Sequence, residues 1–132
     1  MSRSAFSAQV FAVYVMATGA MFVVAPNMVL SLFGVPPTTE VWIHVVGVLA
    51  CMIGIYAWGA GRHDNRPFLV ASVGTRVLVF VAFSTFVLLG MAPPVLALFG
   101  VVDLLGAVWT GLALRADRLA PSAGAAMAAA KG

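Results

Sequence analysis

From Val95 to Leu114 the chain runs for about twenty residues with one charged side chain, Asp103. As a helix rising 1.5 Å per residue, such a run is about 30 Å long, the thickness of a bilayer's hydrocarbon core. Three similar runs precede it, at 8–25, 41–61 and 68–90, and Arg76 is the only Lys, Arg, Asp or Glu among them. A fold with four such segments must satisfy its backbone polar groups within each helix, since lipid offers no hydrogen bonds. The sequence therefore predicts an all-α, integral membrane four-helix bundle over residues 1–114.

Composition agrees. The 132 residues are 63% hydrophobic and 8% charged, against about a quarter charged in soluble domains. The length leaves no room for a soluble catalytic domain beside the spans, so any chemistry belongs within or at the edge of the bundle. The net charge of +3 comes from scattered residues, Arg3, Arg62, Arg66, Arg76, Arg115, Arg118 and Lys131, which form no dense basic patch for nucleic acid. Cys51 is the single cysteine, so an internal disulfide, a CxxC redox pair and a cysteine metal cage are excluded.

The connections carry their own signals. Arg3 ahead of an apolar core also fits a signal peptide, but Pro26 is a poor residue after a cleavage site, and the run reads as span one. Pro26 to Glu40 predicts a short helix from Asn27 to Phe33, stopped at Gly34 and kept from continuing by Pro36 and Pro37. Its Met28, Leu30, Leu32 and Phe33 suit a helix lying along the membrane surface. Arg62 to Pro67 is a polar loop, and Met91 to Pro94 a tight uncharged one. Residues 115–132 are predicted as a disordered tail, rich in small side chains. Arg3, the Arg62/Arg66 loop and the Arg115/Arg118 segment fall on one side, and Glu40 alone marks the other, so the positive-inside rule predicts a multi-pass membrane protein with both termini cytoplasmic.

In span two, Gly47, Ala50, Gly54, Ala57 and Gly61 recur at spacings of 3, 4, 3 and 4, which puts five small residues on one helical stripe. Helix packing is the expected use of that stripe.

Within the spans, His44, Arg76 and Asp103 are the ionisable residues that stand out, with Tyr14, Thr18 and Thr110 as hydroxyl neighbours. Asp103 shares a helical face with Gly106, Ala107 and Thr110, which turns its carboxylate toward the bundle. Counting from the helix ends puts Asp103 about 12 Å and Arg76 about 21 Å from the outer face, so a pair would have to bridge about 9 Å. His44 lies about 7 Å above Asp103 by the same count, giving a graded polar column. Such residues serve either as buried pairs or as a proton, ion or ligand path. No metal-ligand spacing, no bis-histidine haem pair and no complete catalytic set is present, so catalytic residues and any cofactor are left unassigned.

The elbow Pro-Asn-Met-Val-Leu-Ser-Leu-Phe-Gly-Val-Pro at 26–36, Trp-Ile-His-Val-Val-Gly-Val-Leu-Ala at 42–50 leading to Gly-Ile-Tyr, Gly-Thr-Arg at 74–76 and Val-Val-Asp-Leu-Leu-Gly at 101–106 together resemble the small four-helix bacterial proteins of the broad DoxX-like group. The resemblance implies a membrane bundle in a group where some members are subunits of quinone-linked oxidoreductases. The expectation is an accessory or structural subunit, of a redox or quinone-linked complex or of a homo-oligomer, surrounded by lipid. The alternatives are a small transporter or channel with an intramembrane site at Asp103, and a membrane enzyme acting on a lipophilic substrate.

Overall fold

The computed structural model describes residues 1–131, with side chains for 1–120 and 127–131. It is all-α: α1 (Arg3–Val24), α2 (Pro26–Leu32), α3 (Trp42–Arg62), α4 (Arg66–Leu88) and α5 (Val95–Lys131), with no strand among the described residues. The segments α1, α3, α4 and Val95–Ala120 of α5 are each long and apolar enough to cross a membrane.

Two boundaries differ from the sequence reading by more than two residues. The first helix starts at Arg3 rather than near residue 8, because Ser2 caps it by accepting from the Ala5 amide. The last helix continues past Leu114 through the stretch predicted to be a disordered tail. Alanine, the strongest helix former, fills much of that stretch, and low complexity there is no bar to helix. Residue 132, the end of the predicted tail, lies outside the described residues.

Helix α2 is the short elbow. It opens on Pro26 at its first turn and stops where Gly34 takes a φ of +68°, with the Gly34 amide donating to Ser31 O and that of Val35 to Leu30 O. Phe33 packs against Phe99 of α5, ring centroids 5.4 Å apart, while Met28 and Leu32 stay exposed.

The long helices run alternately up and down. Packing is strongest within the pairs α1–α3 and α4–α5, and α1 joins the pairs by lying against α5, while α3 and α4 meet only sparsely. The order across the molecule is thus α3, α1, α5, α4. On α3, Gly47, Gly54, Ala57 and Gly61 are buried and Ala50 is partly so. A Cβ at Gly47 would come within 2.7 Å of Gly19 O, one at Gly54 within 3.0 Å of Ala12 O and one at Gly61 within 3.0 Å of Ala5 O. The backbones of α1 and α3 therefore touch along their length, which only residues without or with minimal side chains permit.

Candidate functional site

The polar interior is built where α1, α4 and α5 meet. Arg76, near the middle of α4, is 4% exposed and is the only charged residue buried among the described residues. Its guanidinium lies over the Phe11 ring of α1, with Cζ 3.6 Å from the ring centroid. On the other side it meets α5 at Gly106, where a Cβ would come within 3.3 Å of Arg76 Nη1. A desolvated cation over an aromatic face contributes about 2 kcal/mol, which offsets part of the cost of burying the charge.

Hydrogen bonding gives this contact a direction. Arg76 Nη1 donates to Thr110 Oγ1 at 3.1 Å. Ser7 Oγ donates its one proton to Ser4 O at 2.7 Å, so the 2.9 Å contact between Ser7 and Thr110 has Thr110 as donor. The sequence of donors runs from Arg76 to Thr110, to Ser7, and ends on the Ser4 carbonyl. A carbonyl has no proton to pass on, so these groups join three helices and do not form a continuing proton wire. Arg76 Nε and Nη2 are buried and find no acceptor among the described residues.

Asp103 is half-buried on α5, and no arginine nitrogen lies within 4.0 Å of its carboxylate among the described residues. Arg76 instead reaches Gly106 and Thr110, three and seven residues further along α5, which is about 5 to 10 Å from Asp103 at 1.5 Å per residue. Tyr14 is half-buried with its ring 6.2 Å from that of Phe11. Thr18 donates to Tyr14 O within its own helix at 2.9 Å. His44 does not join these residues. It sits exposed at the far end of α3, where Nδ1–H donates to Val23 O at 2.9 Å and caps a free carbonyl at the end of α1.

A second polar centre, at the end of the bundle that holds both chain termini, was not anticipated from sequence. Asp117 of α5 accepts from the amides of Arg3 and Ser4, both at 3.1 Å, and from Ser4 Oγ at 2.6 Å. Asp64 of the α3–α4 loop accepts from the Ser2 amide and hydroxyl. Two carboxylates from elsewhere in the chain thus cap the first turn of α1, whose free amides carry the positive end of the helix dipole. Ser2 beside a helix start was a usable signal for the cap, but nothing in the local sequence named its distant acceptors.

Among the described residues, no three His, Cys, Asp or Glu side chains gather as a metal site. The arrangement defines an all-α bundle of four helices long and apolar enough to cross a membrane, with one buried arginine at a three-helix junction among the described residues. No family model, curated protein or solved structure matches this chain.

Proposed function

We propose that this protein is a non-catalytic accessory subunit of the bacterial cytoplasmic membrane, with both termini cytoplasmic, working within a redox or quinone-linked complex of the kind found in the DoxX-like group. The observation that carries the non-catalytic reading is the ordered donor sequence from Arg76 to the Ser4 carbonyl. The guanidinium is engaged with Phe11 of α1 and Thr110 of α5, and its path stops at a backbone carbonyl. Orientation rests on Arg3, Arg62, Arg66, Arg115 and Arg118, which lie toward the end shared by the termini. Mild solubilisation followed by native mass spectrometry tests the reading. The expected result is a stoichiometric complex with a redox-active partner; a monomer that carries out turnover or transport by itself overturns it.

A second reading has its own observation in the unpartnered Nε and Nη2 of Arg76. A lipophilic molecule bearing a carbonyl or anionic oxygen would satisfy those donors, and Asp103 and Tyr14 lie nearby for a transport or acid–base role. A quinone or other oxygen-bearing lipid that co-purifies with the native protein and is lost from Arg76→Met favours this reading over the first.

A further inference from the structure

We propose that the cleft between α4 and α5 at the end holding the termini is a binding site for an anionic phospholipid. The inference rests on the reading of the chain as a membrane protein. The cleft has a volume of about 450 Å³, within the range of sites that hold a small ligand. Its rim carries three cations, Arg66 at the start of α4 and Arg115 and Arg118 on α5, and its floor is apolar, with Val70, Val73 and Leu114. The rim suits a phosphate and the floor suits an acyl chain.

Charge complementarity fixes the occupant's sign. The two carboxylates at this end are engaged elsewhere, Asp117 with Arg3 and Ser4 and Asp64 with Ser2, all at the start of α1. No carboxylate lies within 4.0 Å of Arg66, Arg115 or Arg118 among the described residues. Three exposed arginines lining one cleft with no acid in that lining repel one another, and a bound phosphodiester relieves that repulsion. Guanidinium pairs with phosphate in a bidentate fashion. Basic clefts between helices at the cytoplasmic surface are a recurrent way of holding such headgroups.

The floor is open because of two glycines. A Cβ at Gly74 would meet nothing within 4 Å, and one at Gly111 only Val73 Cγ1 at 3.9 Å. Neither glycine is required by close helix contact, and together they leave a trough running from the arginines toward the bilayer interior. A lipid tail fits that trough, whereas free phosphate makes no use of it.

The experiment begins with alkaline washing of membranes, after which the protein stays in the pellet; release into the wash refutes the membrane reading itself, independently of the lipid site. Purified protein is then exchanged into nanodiscs of equimolar phosphatidylglycerol and phosphatidylcholine, and retained lipid is counted by native mass spectrometry. The native protein is expected to retain phosphatidylglycerol at least tenfold over phosphatidylcholine. Arg66→Gln/Arg115→Gln/Arg118→Gln is expected to bring the ratio to near one. Gly111→Leu fills the trough without touching a charge and is expected to lower retention at least threefold, with helicity by circular dichroism confirming that it folds. Inorganic phosphate at millimolar concentration is expected to leave the retained lipid in place. Equal retention of the two lipids by the native protein, an undiminished preference in a folded triple variant, or displacement by inorganic phosphate overturns the proposal.

Discussion

Arg76 and Thr110 are joined across α4 and α5 by a 3.1 Å hydrogen bond in which the arginine donates, and both side chains are buried, at 4% and 0% exposure. This bond sets the polarity of the contact between three helices. Thr110 can accept from Arg76 while donating to Ser7 because a hydroxyl holds one proton and two lone pairs. Serine would keep that chemistry at position 110, and valine would remove both bonds at nearly constant volume.

Thr110→Val is therefore expected to destabilise the bundle by about 1–3 kcal/mol, the cost of leaving a buried donor unmet. Thr110→Ser should stay within about 1 kcal/mol of the native protein. An unfolding titration in mixed micelles with increasing denaturing detergent measures both. Equal stability of the valine variant would show that the bond contributes nothing net.

Arg76→Met gives a contrasting outcome. It removes the buried charge and its two unmet nitrogens and replaces them with an apolar chain of similar reach, so the desolvation penalty of the charge goes together with the bond to Thr110. Thr110 keeps its bond to Ser7 in this variant. Unfolding titration is expected to place Arg76→Met at or above native stability, whereas Arg76→Ala falls below it for want of packing against Phe11.

The glycines of α3 divide by what faces them. Gly47→Ala sets a Cβ within 2.7 Å of Gly19 O, a backbone atom that cannot swing aside, so α1 and α3 must separate at a cost of about 1–3 kcal/mol. Gly59 has nothing within 4 Å of an added Cβ. Gly59→Ala is expected to raise stability by about 0.5–1 kcal/mol through helix propensity. If both substitutions give the same shift in thermal unfolding, close packing is not what the stripe provides.

How far the sequence could be read follows from the same residues. The four long helices were visible as apolar runs of a length that suits a span, and the glycine at position 34 marked the end of the elbow, where the structure gives it a positive φ. The alternation of 3 and 4 placed Gly47, Gly54 and Gly61 on one face of α3. Periodicity supplies a face and a height but not a neighbour, however. His44 fell at a height near Asp103, yet α3 packs on α1 and hardly on α5, so the imidazole ends on Val23 O instead. Ser4, Ser7 and Phe11 were missed because small hydroxyls and a single aromatic look like flanking or lipid-facing residues until a partner helix is known. The acceptor role of Asp117 depended on a helix extending past Leu114, which apolarity alone did not signal.

Asp117→Ala is expected to loosen the start of α1. The carboxylate accepts from two backbone amides and one hydroxyl, and loss of a helix cap costs about 0.5–2 kcal/mol. Hydrogen exchange should quicken at the amides of Arg3 and Ser4 and leave those near Gly47 unchanged. Uniform quickening along α1 would mean that the cap holds the whole helix rather than its first turn.

Asp103→Asn separates the two functional readings most directly. The carboxylate makes no contact within 4.0 Å to a cationic nitrogen among the described residues, so its loss removes no ion pair and should shift stability by less than about 1 kcal/mol. An accessory subunit that uses Arg76, Thr110 and Ser7 as its interhelical tie keeps its complex intact when this acid is neutralised. A transporter or an acid–base enzyme does not keep its rate, because the amide neither gains nor releases a proton in the relevant range. Co-purification of partners and flux in proteoliposomes, measured on the same preparation, are expected to show unchanged assembly and no flux in either protein. Flux in the native protein that Asp103→Asn abolishes would assign the acid to a transport path and displace the accessory reading.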